Sequence, residues 1–255
     1  MATTAPAPII TQRHIDQYRE EGWCLLENAI PAEHLALLRG CCQRAIDDSN
    51  AEMDRLGTDV NGIDRRNSRY FSTQPSLKQP ELMRFVRSPL MGAVCRALLG
   101  PEAFIFYEQY VVKAAEGGLH FGWHQDSGYV GDGHEPYLTC WCALDDMSEA
   151  NGTISVLPFS RAGGCKLLPH TPDPETNDMI GYHGDDPGIP VICPAGSIAL
   201  FSSFTLHRSG ANRTDRWRRS YLVHYSQEII RRYDGQPWGR TEPVLVGGEL
   251  VDPAG

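Results

Sequence analysis

Short apolar runs separated by turn residues fill the chain from about residue 103 onward, and they constrain the fold more than any other feature. They predict strands at 104–113, 138–144, 153–157, 191–192, 197–201 and 219–225, with Gly, Pro, Asp and Asn between them. Strands that follow one another without long intervening helices pack as a sandwich or a barrel rather than as a parallel α/β sheet. We therefore expect a mostly β core.

The front of the chain differs from this core. Its pattern predicts helices at 11–20, from 31 to about 45, at 80–86 and at 90–99, a short strand at 22–26, and a polar loop at 61–70. We find no internal repeat and no linker that would divide the chain. The sequence predicts a single domain over 1–255, with a helical front end at about 11–100, a β core at about 103–228 and a C-terminal extension at 229–255.

Charge and composition exclude several classes of protein. Lysine and arginine number 23 against 32 acidic residues, a formal charge of −9, which argues against a general field for binding nucleic acid. No apolar run approaches the roughly 18 residues of a membrane span, and the N-terminus lacks the features of a signal peptide, so we expect a cytoplasmic protein. The eight cysteines form no Cys-x-x-Cys pair, which favours buried free thiols over a zinc site.

Three residues have the character of metal ligands. Side chains two apart in an extended segment share a face, so His124 and Asp126 would form half of a metal site. His207, at the predicted end of the strand that begins after Ser197, is the candidate third ligand. Two histidines and one carboxylate bind one face of an octahedral ion and leave the other positions open, as non-haem Fe(II) chemistry requires.

An arginine that follows the candidate third ligand has the character of an anion-binding residue. Arg218 lies eleven residues beyond His207, at the start of the last predicted strand, where its guanidinium would bind a carboxylate near the metal. Arg216 and Arg219 are the alternatives, since a register shift of one residue reverses which side chains point inward.

Together these motifs resemble the phytanoyl-CoA dioxygenase family of Fe(II)- and 2-oxoglutarate-dependent oxygenases. The resemblance runs from about Tyr107 to Tyr225 and includes His124-Gln-Asp126, the Asn-Gly turn at 151–152, and His207-x-Ser-Gly-x-Asn. It implies a double-stranded β-helix (jelly-roll) core flanked by helices, with Fe(II) as cofactor and 2-oxoglutarate and O2 as co-substrates. It implies that His124, Asp126 and His207 bind the iron. It implies that Arg218 pairs with the distal carboxylate of 2-oxoglutarate. Further contacts with that co-substrate would come from Gln109, Trp141 and Ser209.

The resemblance also implies a reaction. We expect hydroxylation, or a related oxidation, of an unactivated C–H bond of a small-molecule metabolite, coupled to decarboxylation of 2-oxoglutarate to succinate and CO2. A carboxylate at Asp126 resembles the hydroxylating branch rather than the halogenating one, whereas 158–161 depart from the usual turn sequence. The alternative is a cupin-like metal protein that binds a small ligand without turning over 2-oxoglutarate.

The substrate is predicted less directly. Trp123, Tyr129, His134 and the loop at 128–133 are candidate cavity walls, although aromatic residues at such places also serve packing. The arginines at 65, 66 and 69 are candidates to bind an anionic substrate, the alternative being a solvated loop. No hydrolase or phosphate-loop motif is present in the sequence.

Overall fold

A computed structural model describes residues 10–115, 120–131, 133–174 and 178–251. The α-helices are α1 Gln12–Glu21, α2 Ala32–Leu56, α3 Met83–Val86, α4 Pro89–Leu98 and α5 Phe159–Ala162, with short 3-10 helices at Pro75–Leu77, Pro80–Leu82 and Asp126–Tyr129. The strands are β1 Trp23–Leu26, β2 Val60–Asn61, β3 Asp64–Arg65, β4 Arg69–Thr73, β5 Ala103–Lys113, β6 Phe121–His124, β7 Leu138–Ala143, β8 Ile154–Leu157, β9 Thr171–Pro172, β10 Met179–Ile180, β11 Ile189–Pro190, β12 Ile198–Ser202, β13 Leu206–Ser209, β14 Arg218–Ser226, β15 Pro243–Val246 and β16 Glu249–Leu250.

Two antiparallel sheets form the core. The larger runs in the order β1-β12-β7-β14-β5-β4-β3-β2, with β15 also pairing with β5, and the smaller runs β11-β8-β13-β6. Buried apolar residues from both sheets share one cluster, in which Trp141 and Phe201 of the larger sheet join Val156 of the smaller one. Two packed antiparallel sheets of this kind are a jelly roll, and the predicted fold is confirmed.

The helices cover the other face of the larger sheet. Leu38 of α2 and Met91 of α4 are fully buried in one cluster with Tyr110 and Tyr221 of the central strands. The Tyr110 hydroxyl donates a hydrogen bond to the Leu38 carbonyl at 3.0 Å, so the polar end of this buried ring is satisfied. With the helices occupying this face, the opposite face of the sheet is left to form a cavity.

The front end departs from the prediction in two places. Helix α2 continues through the polar residues at 47–50 to Leu56, because Ser49 and Asn50 are bonded by the chain that follows: Ser49 donates to Asp64 and Asn50 accepts from Tyr70. The predicted loop at 61–70 instead contains the β2–β3 hairpin and the start of β4. Contacts with residues distant in the sequence therefore stabilise a helix end and strands that the local pattern does not predict.

Within the core, the strand expected at 191–192 is wrong. The strand is Ile189–Pro190, which pairs with Val156 and Ser155, whereas Ile192 has turned into solvent. His207 does not end the strand that begins after Ser197; it lies on a separate strand, β13, beyond a turn. Its pairing with β6 and β8 places it in the smaller sheet.

The extension after β14 returns to the core rather than leaving it. Strand β15 pairs with β5, and Arg240 forms an ion pair with Glu108, which is fully buried. All eight cysteines are free thiols and all but Cys165 are buried, as predicted. No helix in the described part of the chain is long and apolar enough to span a membrane.

Candidate active site

A cavity of about 500 Å³ opens between the two sheets. Its walls come from β5, β7 and β14 of the larger sheet and from β6, β8 and β13 of the smaller one. All seven site residues expected from the sequence line it, namely Gln109, His124, Asp126, Trp141, His207, Ser209 and Arg218.

Two strands and a turn bring the His-Asp-His set together. His124 is the last residue of β6 and faces His207 of β13 in the pairing register, with ring centroids 4.2 Å apart. Gln125 keeps an extended backbone (φ −113°, ψ 139°), so Asp126 falls on the same side as His124. One ligand atom from each residue lies within 4.8 Å of the others, and Asp126 Oδ1 is 3.5 Å from His207 Nε2.

Hydrogen bonds behind the three side chains determine which atoms face the site. His124 Nδ1 lies 2.8 Å from the Gly122 carbonyl and His207 Nδ1 lies 3.1 Å from the Thr205 carbonyl. A carbonyl only accepts, so each Nδ1 carries the hydrogen and each Nε2 presents a lone pair. The Thr139 hydroxyl donates to Asp126 Oδ2 at 2.6 Å, which leaves Oδ1 toward the histidines.

The electrostatics of the site favour the ligand forms. Burial, aided by the neighbouring His207, lowers the pKa of His124 to about 3, so its ring is neutral near pH 7. Burial raises the pKa of Asp126, but the His207 and His224 imidazoles and the Thr139 hydrogen bond outweigh it and keep that pKa below its ordinary value. A neutral imidazole and an ionised carboxylate are the states that bind metal.

Arg218 is a buried guanidinium aimed at the cavity. It is 1% exposed, lies 5.1 Å above the Trp141 ring and donates to Ser220 Oγ at 3.3 Å, while its Nε has no partner among the residues that the structure describes. Burial lowers the pKa of Arg218 to about 10, which still leaves it charged. A buried cation with an unsatisfied donor is a site for an anion.

The two alternative arginines point elsewhere. The Arg216 side chain is 89% exposed, and Arg219 is bonded to Asp145 through its Nε and one terminal nitrogen. The register of β14 therefore turns Arg218 inward. Ser209, which lines the cavity from β13 of the smaller sheet, accepts a hydrogen bond from Lys113 Nζ at 2.7 Å.

Some predicted walls lie outside the cavity. Tyr129 and Arg69 line it, but Trp123 is packed against Leu157 and Leu206, and His134 lies against Tyr137 and Phe204. Of the other two arginines, Arg66 is bonded to Asp54 and Asp59, and Arg65 is absent from the lining. The prediction that Trp123 lines the cavity is wrong, because its partners in the smaller sheet bury it on that sheet's other face. Asp132 of the predicted loop lies outside the described residues.

Several lining residues were not anticipated, namely Phe71, Phe106, Tyr107, Phe121, Tyr137, His224 and Trp238. The period of two along β14 is a signal for one of them, because Arg218, Leu222 and His224 occupy alternate positions. Trp238 had no such signal, since it lies in the irregular extension after β14.

The residues present fit Fe(II) and 2-oxoglutarate. The nitrogen and oxygen donors of His124, Asp126 and His207 converge from one side, the arrangement suited to a divalent iron with open positions. On the opposite sheet, the Nε of Arg218, which has no partner among the described residues, fits a carboxylate of the co-substrate.

Comparison with known proteins agrees with this geometry. The family model of phytanoyl-CoA dioxygenase (PhyH) matches residues 18–220. An ectoine dioxygenase of Bordetella parapertussis is 26% identical over 87% of this chain and 77% of its own length. The peroxisomal phytanoyl-CoA dioxygenase of Homo sapiens is 22% identical over 94% of this chain and 75% of its own.

Solved structures show the same fold. The non-heme alpha ketoglutarate dependent carbocyclase SnoK from nogalamycin biosynthesis has a TM-score of 0.71 at 20% identity and covers 95% of this chain and 100% of its own. EctD from S. alaskensis, crystallised with 2-oxoglutarate and 5-hydroxyectoine, has a TM-score of 0.66 at 22% identity, over 97% and 90% of the two chains.

These matches confirm the enzyme class expected from the sequence, a dioxygenase dependent on Fe(II) and 2-oxoglutarate. The family model spans most of the chain, including both histidines and the aspartate. The chain belongs to the phytanoyl-CoA dioxygenase family.

Proposed function

We propose that the protein oxidises an unactivated C–H bond of a small-molecule metabolite, with His124, Asp126 and His207 holding Fe(II) and Arg218 binding the distal carboxylate of 2-oxoglutarate. One observation supports the assignment: a buried guanidinium whose Nε has no partner in the described part of the chain shares a cavity with three converging metal donors. Gln109 and Trp141 on the same sheet as Arg218, and Ser209 on the opposite sheet, would complete the co-substrate site.

The bound iron, with 2-oxoglutarate and O2, supplies an oxidant strong enough to take hydrogen from an unactivated carbon, and the products include succinate and CO2. The protein's part is positioning. The carbonyls of Gly122 and Thr205 hold the two imidazoles with Nε2 forward, and Thr139 holds the aspartate. The aromatic walls exclude water from the reacting groups.

The cavity supports a small substrate. Its volume of about 500 Å³ must hold 2-oxoglutarate as well, and its walls are mostly apolar. Relatives named for ectoine and for phytanoyl-CoA both act on small molecules. We include in the proposal a hydroxylation rather than a halogenation, because the site keeps the Asp126 carboxylate, and the cytoplasmic location expected from the sequence.

The test is an anaerobic titration of the metal-free protein with Fe(II) and then 2-oxoglutarate. Chelation of Fe(II) by the oxo acid produces a weak visible charge-transfer band. We expect this band in the wild type, and an affinity for 2-oxoglutarate reduced on the order of 100-fold in Arg218→Ala, because charged hydrogen bonds from a buried guanidinium are lost. Arg216→Ala, which removes an exposed neighbouring arginine, is the matched control and should titrate as the wild type does.

A wild type that binds Fe(II) and shows no band would contradict the proposal. That result would favour the alternative, a cupin-like metal protein that binds its ligand without 2-oxoglutarate. Equal affinities in Arg218→Ala and the wild type would remove Arg218 from the site and leave the metal assignment standing.

A further inference from the structure

His224 is a cavity residue that the proposed chemistry does not use. It lies on β14, six positions after Arg218, and its side chain is almost fully buried. Its Nε2 is buried and makes no hydrogen bond within the described part of the chain. An unpaired polar atom in such a place is costly unless a ligand satisfies it.

The hydrogen bonds around His224 define what this atom can do. An ionised carboxylate accepts only, so the Thr139 hydroxyl gives its single hydrogen to Asp126 Oδ2 at 2.6 Å. The second contact of that hydroxyl, 3.0 Å from His224 Nδ1, then has the ring N–H donating. In the neutral imidazole, Nε2 is left as an acceptor with a free lone pair.

The surroundings of this acceptor are aromatic. Tyr107 and Tyr137 lie 5.9 and 5.6 Å from the His224 ring, between centroids, and Phe106 packs on Tyr137 and on Trp238. The two tyrosine hydroxyls interact with Thr73 and Ser127 respectively. Neither hydroxyl is hydrogen-bonded to His224 Nε2, which is an acceptor without a partner among the described residues.

We propose that His224 determines substrate specificity, by accepting at Nε2 a hydrogen bond from the hydroxyl or N–H group of a ring-shaped, mostly apolar substrate that stacks against Phe106, Tyr107 and Trp238. The inference rests on the proposed function and names its substrate class. Because Thr139 contacts both His224 and Asp126, the polar group of the substrate is fixed relative to the metal donors.

The experiment compares two probes of similar size, 2-naphthol and 2-methylnaphthalene, which differ in the hydrogen-bond donor. Binding is measured by fluorescence to the anaerobic protein loaded with Fe(II) and 2-oxoglutarate. We expect the wild type to bind 2-naphthol about tenfold more tightly, the effect of roughly one buried hydrogen bond. His224→Leu should lose this preference, and His224→Gln, whose side-chain oxygen is an acceptor, should recover part of it.

Two controls make the result specific. His134→Leu removes a histidine whose Nε2 also has no partner among the described residues but which does not line the cavity they form, and it should change neither affinity. The charge-transfer band with 2-oxoglutarate should persist in His224→Leu, which shows that the metal site is intact. A missing band in the wild type would defeat the proposed function itself rather than the role of His224.

Three results would overturn the inference while the band is present. They are equal affinities of the wild type for both probes, equal losses of both probes in His224→Leu, and no binding of either probe by the wild type. The first two remove the hydrogen bond and the third removes the ring-shaped substrate.

Discussion

At the scale of single residues, each metal-facing side chain is oriented from behind. The histidines are held by carbonyls two residues earlier in the chain, and Asp126 is held by the Thr139 hydroxyl of β7 in the larger sheet. Local backbone geometry thus orients two of the proposed ligands, whereas the third depends on a side chain from the opposite sheet. Such partners fix the side-chain orientation before any ion binds.

Loss of one ligand should therefore be severe. We expect Asp126→Ala to reduce Fe(II) affinity by more than the roughly 10–100-fold that loss of an orienting partner costs, and to abolish substrate-dependent succinate formation. Anaerobic calorimetry with Fe(II) and a succinate assay measure the two effects. Asp186→Ala is the control, because Asp186 is bonded to Arg161 away from the cavity. Succinate formation within a few-fold of the wild type would exclude Asp126 as a ligand.

Spacing in extended backbone is enough to predict that two side chains share a face. His124 and Asp126 are two apart in extended backbone, and the sequence alone places them on one face. His224 was missed because its importance depends on Thr139, which lies 85 positions away and touches it only in the folded sheet. Tyr107 and Phe71 were missed for the same reason: strand pairing decides which faces enclose the cavity.

At the scale of elements, the buried apolar strands were predictable, including the four-residue β1 and β8, and the short polar strands were not. β5 and β14 carry many apolar and aromatic residues, so their propensity and burial agree. β6 and β13 have four residues each and carry the two cavity histidines; pairing holds them, β6 with β13 and β13 also with β8. A strand that owes its existence to its partner leaves little trace in the local sequence.

Helix α2 allows a test of how the helical layer stabilises the sheet. Leu38 is fully buried against the central strands, whereas Leu56, at the end of the same helix, is 48% exposed. We expect Leu38→Ala to lower the free energy of unfolding by about 2–5 kcal/mol and Leu56→Ala to change it by less than about 1 kcal/mol. Urea unfolding measures both. Similar losses in the two variants would mean that the helix contributes by propensity rather than by packing.

At the scale of the whole molecule, the extension after β14 closes the structure. Arg240 donates to Glu108 at 2.9 Å and to Ser76, and Tyr221 donates to the other carboxylate oxygen. The ion pair joins the extension to the centre of the larger sheet and holds Trp238 at the cavity wall. The sequence pattern did not predict this ion pair, because it joins residues 132 positions apart.

Breaking that ion pair should destabilise the whole fold. Arg240→Ala leaves a buried carboxylate unpaired, and we expect a loss of about 3–5 kcal/mol in the free energy of unfolding. Adding Glu108→Gln removes the stranded charge and should recover part of the loss. Arg161→Ala breaks an ion pair nearer the surface and should cost less than about 1 kcal/mol. Chemical denaturation of the three variants measures these free energies of unfolding. Equal losses for Arg240→Ala and Arg161→Ala would show that the buried ion pair stabilises the fold no more than the one nearer the surface.

Strand β14 carries both Arg218 and His224, six residues apart on the same side. At roughly 3.3 Å per residue, the two backbone positions are about 20 Å apart along one rigid strand. If one end binds the co-substrate and the other the substrate, the strand fixes the distance between the two binding groups. Because His224 Nδ1 also lies 3.7 Å from Asp126 Oδ2, the oxidised carbon is then one close to the substrate's own donor group, so the position of that group rather than the strength of the C–H bond decides the regiochemistry.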